Sequence, residues 1–257
     1  MKKWLMLHAA AVLFNLISSI KGESLDLAFV QACQRRNFSS VMPSFPFDDK
    51  KRYVVRDFSS IRQQTSRGGL RCVARALLRL PATQRCTKFD VGKFNERRII
   101  YTTELFVNGS QSIENFSGVR DIHVGLDLGA PALTRIHAPL DGSIWRFGYN
   151  PKDGDYGHVI ITAHHFEPEN ISFWILYGHL DASSVSFKRI GDPVRAGDPI
   201  ARCGRPHENG GWPSHLHLQL SLIEPQDHDL PGVVNQIDLP RALRDFPDPR
   251  LIVGPVY

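Results

Sequence analysis

Residues 211–220 read GWPSHLHLQL, and from Ser214 the run continues as SHLHLQLSL, with leucine at every second position. A period of two marks a β-strand, because successive side chains of a strand point to opposite sides of its sheet. Leu216, Leu218 and Leu220 therefore face a core, while His215, His217 and Gln219 share the other side. Two imidazoles about 6.6 Å apart along a strand can reach one metal ion, or one ligand and its bound water.

The rest of the chain from Arg98 onward has the same texture. IIYTTELFV, GSIWRFGY, HVIITAHHF, SFWILYGHL and SHLHLQLSL each read as a strand. Turn signals separate them at Gly109-Ser110, Pro139 to Gly142, Pro151 to Gly154 and Gly191 to Pro193. Many short strands without intervening helices predict a mainly β fold, a curled antiparallel sheet or partial barrel. Residues 24–95 differ. LDLAFVQACQRR and GLRCVARALLRL carry apolar residues at helical spacing around the turn-rich MPSFPFDD, and Pro81 ends the second helix. The tail RALRDFPDPRLIVGPVY reads as a short helix and an irregular end.

The first residues, Met-Lys-Lys, an apolar run from Trp4 to Ile20, then Lys21-Gly22, follow the order of a secretory signal peptide. The expected organisation is a signal peptide at 1–22, a helical N-terminal extension at 23–96 and a β domain at 97–257. The product is then expected to be secreted, with no membrane span after cleavage. Removing residues 1–22 takes three lysines and no acids from 31 basic and 26 acidic residues, so the net charge falls from +5 to +2. Nothing in that balance asks for a nucleic-acid partner, and Arg35-Arg36 and Arg97-Arg98 read as solvated surface. Four cysteines, Cys33, Cys72, Cys86 and Cys203, suit disulfides in an oxidising compartment. If all are paired, one bridge ties Cys203 to the N-terminal segment. Asn37, Asn108, Asn115 and Asn170 begin N-glycosylation sequons.

RDIHVGLDLGAP sets His123 and Asp127 four residues apart. On a straight strand they would stand about 13 Å apart, too far to share an ion held at about 2.1 Å. Gly125 between them supplies the freedom to bend, so His123 is expected on a loop or kink entering the strand of Asp127. Three protein ligands with one open position define a catalytic zinc site, whereas structural sites close with four. His123, Asp127 and one of His215 and His217 supply three donors. His179, in LYGHLD at the end of an apolar strand, is a further candidate. The set divides into three ligands and two uncommitted imidazoles, as metal-assisted amide hydrolysis requires. His158, His207 and Trp212 are expected in structural or wall positions, and His137, His164, His165 and His228 are incidental.

His-x-x-x-Asp at 123–127, HAPLDG at 137–142, Tyr-Gly-His-Leu at 177–180, GDPVRAGDPIARCG at 191–204 and His215-Leu216-His217 occur in this order. Together they resemble the lysostaphin-type (LytM-type) zinc endopeptidases, over roughly Arg120 to Ile223. The longer form, with ENGGWPSHLHLQ and DLPGV, is similar to a peptidase-like domain found in some bacterial transferase fusion proteins. The resemblance implies one Zn2+ per chain, bound by His123, Asp127 and His217, with His179 and His215 as the catalytic pair. It implies a metalloendopeptidase acting on peptide or peptidoglycan, with the bonds of bacterial wall cross-links as the substrate class. The competing reading is a zinc-containing module of the same fold that binds a peptide or partner without cleaving it. Leu218 stands where that family often has an aromatic residue.

Overall fold

A computed structural model describes residues 26–59, 89–107, 116 and 118–257. The alternating run is strand β12 (His215–Ser221), inside an eight-stranded sheet. Its other strands are β1 (Val54–Val55), β2 (Asp90–Gly92), β5 (Leu126–Gly129), β7 (Gly142–Asn150), β8 (Gly157–Phe166), β9 (Ile171–Leu180) and β10 (Pro193–Val194). The order is β1-β2-β5-β12-β9-β8-β7-β10. Every pairing is antiparallel except β1 with β2. The sheet ends at β1 and β10, so it is open and does not close into a barrel. Two small sheets accompany it: β6 (Arg135–His137) with β11 (Pro199–Arg202), and β3 (Glu96–Arg97), β4 (Ile122–His123) and β13 (Val233–Val234).

Both faces of the large sheet are covered. On one, Leu126, Leu128, Tyr177, Leu216, Leu218 and Leu220 are fully buried with Ile160 and Ile175. Their cover comes from both ends of the chain: Phe29, Ala32, Val41, Met42, Phe45 and Tyr53 before the sheet, Ile252 and Val256 after it. The other face packs Val159, Ile161, Trp174 and Leu176 against Ile122, Val124, Leu230, Val234 and the helix Leu239–Asp245. The polar side of β12 is therefore interior as well. Gln219 and Ser221 are fully buried, and the Ser221 hydroxyl donates to the Ile223 carbonyl at 2.6 Å.

Of the two expected N-terminal helices, residues 26–34 are helical, and GLRCVARALLRL lies outside the described residues. The 26–34 helix buries Phe29 against Phe166 and Phe173, with ring centroids at 5.7 and 5.0 Å. The following segment buries Tyr53, whose hydroxyl donates to the Val256 carbonyl at 3.0 Å, before β1 joins the large sheet. Arg36 is not the solvated side chain its sequence context suggested. It lies over the Phe166 ring at 4.1 Å and pairs with Glu169 at 2.5 Å, so its stem covers apolar surface while its head is held.

Two further expectations are corrected. IIYTTELFV is not a strand: residues 104–107 form a helical turn, with the Phe106 and Val107 amides donating to the Thr103 carbonyl. β-propensity expresses the fit to neighbouring strands, and here Leu105 and Phe106 are instead buried beside Val233, Tyr101 and Trp212. Among the described residues Cys33 and Cys203 are buried and carry free thiols, not a bridge to one another, while Cys72 and Cys86 lie outside those residues. Burial pushes both thiols up to about 12, so they pack as small apolar groups.

Truncating Phe29 should cost as much as truncating a strand residue. Phe29→Ala is expected to lower stability by about 3–5 kcal/mol in denaturant unfolding, with a single transition retained. An unchanged midpoint would show that the N-terminal segment is not part of this core.

Candidate metal centre

Between His123 and Asp127 the chain changes sheets. It leaves β4, which lies between β3 and β13, and enters β5, which pairs with β12. That bend folds His123 back over Asp127, with Nε2 at 3.3 Å from Asp127 Oδ1. Gly125 does more than allow the turn: a Cβ there would lie 2.2 Å from Cε1 of the His217 ring. His217 is the direct cross-strand neighbour of Asp127, and its Nδ1 stands 3.1 Å from Asp127 Oδ1 and 3.0 Å from His123 Nε2. The three donors thus form a nearly equilateral triangle. A tetrahedral ion with arms of 2.0–2.1 Å separates its ligands by about 3.3 Å, so the triangle has the size of one face of such a site.

The hydrogen bonds behind the triangle settle which nitrogens carry protons. A carbonyl oxygen only accepts, so His123 Nδ1–H donates to the Lys93 carbonyl at 2.9 Å, which leaves Nε2 with its lone pair inward. His217 Nε2 is 3.1 Å from Gln219 Oε1, whose own amide nitrogen donates to the Pro231 carbonyl at 3.4 Å. His217 therefore turns the lone pair of Nδ1 inward. Two imidazole lone pairs and a carboxylate oxygen within 3.3 Å of one another have no proton to share, and a cation is what such a donor set accommodates. Burial, with the Arg98 charge next, pushes His123 down to about 4. Asp127 is also buried, which by itself would raise its carboxyl, yet His123 and Arg98 hold it well below the usual carboxylate range.

Several of these supports were not read from the sequence. Arg98, whose sequence context suggests solvated surface, is buried: its Nη1 donates to Asp127 Oδ2 at 2.6 Å and its Nε to Glu96 Oε2 at 2.9 Å. The ion pair joins residues 29 positions apart, so no local pattern announces it. Tyr156 packs edge-on to His217 at 5.1 Å and donates to the Leu230 carbonyl at 3.1 Å. Gln219 could have been foreseen, since the alternation that aligns His215 with His217 includes it.

His179 reaches this face by an irregularity. In β9, Gly178 opposes His217 and Tyr177 opposes Leu218. Simple alternation would then send His179 to the leucine side. Instead the register with β8 slips between the pairs His158–Leu180 and Ile160–Tyr177, and His179 has φ +63°. This bulge, with a backbone conformation uncommon for a side chain of that size, turns the imidazole toward the histidine side. Its ring centroid lies 4.2 Å from that of His215 and 6.1 Å from that of His217. His179 Nδ1–H donates to the Asn209 carbonyl at 2.9 Å and His215 Nδ1–H to the Pro213 carbonyl at 2.7 Å, which leaves Nε2 of each as an acceptor. Burial lowers the basicity of both, the neighbouring imidazoles adding to the effect on His179. His215 Nε2 is 3.8 Å from Asp127 Oδ1. Its side chain is 16% exposed against 4% for His217, so the cluster opens on the His215 side.

The other histidines take different places. His158 stacks on Tyr149 at 4.3 Å and His207 is exposed on the loop before β12. His164 is buried with both nitrogens bonded, to Thr162 Oγ1 and the Asp141 carbonyl. Trp212 packs with Tyr101 and donates to the Gly154 carbonyl at 3.0 Å.

Residues 121–228 match the model of Peptidase family M23 and form a domain of that family, the lysostaphin-type peptidases. The match takes in all five residues of the cluster. Solved structures similar to the chain include a catalytic-domain mutant of the prophage-encoded M23 protein EnpA from Enterococcus faecalis. It is 23% identical over 45% of this chain and 76% of that one, with a TM-score of 0.34. The catalytic domain of lysostaphin from Staphylococcus simulans is 19% identical over 51% and 84%, with a TM-score of 0.31. A zinc-containing peptidase from Vibrio cholerae is 23% identical over 44% of this chain, with a TM-score of 0.32, and the similarity spans only 31% of its length. No curated protein matches the chain.

Gly125→Ala is expected to push the His217 ring off the triangle. Bound metal per folded chain should fall at least tenfold by elemental analysis after dialysis; full retention would show that the ring has room to move.

Proposed function

We propose that this chain is a secreted zinc metalloendopeptidase that hydrolyses peptide bonds of the kind found in bacterial cell-wall cross-links. In this reading His123, Asp127 and His217 hold the ion, and His179 and His215 perform the proton transfers. One observation carries it: three inward lone pairs spaced for a tetrahedral cation, with two further imidazole acceptors beside them on the accessible side. The family of residues 121–228 supports the peptidase assignment. We assign residues 1–22 to a signal peptide and the peptidase unit to 97–257, with 23–96 as its N-terminal extension. Among the described residues no helix is long and apolar enough to cross a membrane.

When bound, zinc supplies Lewis acidity, polarising a carbonyl and making water acidic near neutral pH. The chain's own residues manage the protons. Neutral His215, with Nε2 free and its Nδ1–H fixed on Pro213, takes a proton from the attacking water. As an imidazolium it then returns that proton to the leaving nitrogen when the C–N bond breaks. His179, held in the same tautomer by Asn209, accepts a hydrogen bond from the water at Nε2 or, once protonated, donates to the developing oxyanion. The bulge at His179 aims this second imidazole, and the carbonyls behind both rings keep them from rotating.

Cleavage of peptidoglycan and of glycine-rich peptides by the purified mature chain, with and without chelator, tests the proposal. His215→Ala and His179→Ala should each lower kcat by about 10²–10⁴-fold while retaining one zinc per chain. Asp127→Ala should lose both metal and turnover. One zinc per native chain with no cleavage of any amide would instead favour a binding module. If His215→Ala strips the ion, the ligand and the base have been exchanged.

A further inference from the structure

We infer that Arg98, held by Glu96, is a positioning residue for the metal centre, dividing the Asp127 carboxylate so that Oδ1 alone is offered to the ion. The inference rests on the reading of His123, Asp127 and His217 as ligands. It concerns residues upstream of the matched 121–228 segment.

The two oxygens of Asp127 have different partners. Oδ1 faces His123 and His217, at 3.3 and 3.1 Å, whereas Oδ2 accepts from Arg98 Nη1 at 2.6 Å. A carboxylate can rotate to exchange its oxygens or present both. A guanidinium fixed on one oxygen prevents either movement. Arg98 is fixed: its Nε donates to Glu96 Oε2 at 2.9 Å and its Nη2 to the Lys93 carbonyl at 3.1 Å, and the side chain is 3% exposed. Phe58 lies against the guanidinium at 4.9 Å. Gly92 makes the close approach possible, since a Cβ there would stand 2.7 Å from both Arg98 Nη2 and Asp127 Oδ2.

The same short segment also fixes a second ligand. The Lys93 carbonyl that receives Arg98 Nη2 is the acceptor for His123 Nδ1–H at 2.9 Å. One turn and strand, residues 92–98, thus orients two of the three donors from behind. A positive group beside a cation site would ordinarily weaken it. Glu96 offsets the charge from the far side of Arg98, and is itself held by Lys93 Nζ at 3.3 Å and the Phe58 amide at 3.2 Å. The network therefore contributes orientation with little net repulsion, the role that partners behind metal ligands commonly take.

The test is zinc affinity, measured at pH 7 by competition with a chromophoric chelator on the full mature chain. Arg98→Gln should bind zinc about 10–100-fold more weakly. Arg98→Lys should fall between it and the native chain, because an ammonium keeps the charge but not the planar fork. Glu96→Gln should lose affinity by a smaller factor, and circular dichroism of the metal-free proteins establishes that each is folded. A folded Arg98→Gln that binds zinc as tightly as the native chain overturns the inference. If Arg98→Gln does not fold, Arg98→Lys decides in the same way, and Glu96→Gln after it. A native chain that binds no zinc would instead overturn the metallopeptidase reading itself, so the two failures are distinguishable.

Discussion

Three lone pairs aimed at one another from His123 Nε2, Asp127 Oδ1 and His217 Nδ1 are the constraint on which the rest of the molecule depends. Neutral imidazoles and a carboxylate do not gather in this way of their own accord, because each acceptor repels the others and the interior does not screen them. The fold holds them by placing an acceptor oxygen, the Lys93 carbonyl or Gln219 Oε1, behind the outer N–H of each ring and a guanidinium on the outer oxygen of the carboxylate. The repulsion is therefore built in, and a cation held by the three donors would relieve it.

The large sheet makes this possible by being buried on both sides. Its leucine face packs against both ends of the chain, which fixes the register of β12 against β5 and so the pairing of His217 with Asp127. Its other face is interior enough that burial lowers the basicity of His123 and His179, yet it opens beside His215. The two departures from regular geometry fall at the centre itself: the change of sheet at Gly125 and the bulge that carries His179. Irregularities placed where chemistry is expected follow the general pattern of backbone strain at functional sites.

The sequence made part of this plain. Strand alternation places His215, His217 and Gln219 on one face, and the need for a bend at Gly125 follows from the distance four extended residues would span. The mainly β character and four of the five expected strands could be read from turn residues and β-branched runs. IIYTTELFV could not, because nothing in its composition says that no partner strand awaits it. His179 illustrates a deeper limit. Its parity along β9 points to the core, and only the slip against β8 turns it round. Arg98 was illegible for a different reason: its partners are Glu96 nearby and Asp127 far along the chain, and burial of a charge depends on that long-range pairing. The free thiols of Cys33 and Cys203 show the same limit, since an even cysteine count says nothing about which of them the core encloses.

Anomalous diffraction at the zinc absorption edge, from crystals of the zinc-loaded chain, tests the central claim most directly. One strong peak is expected about 2.0–2.2 Å from His123 Nε2, Asp127 Oδ1 and His217 Nδ1, with His179 and His215 beyond bonding distance. A peak bonded to His179 and His215 instead, or no peak among these five residues, would contradict it.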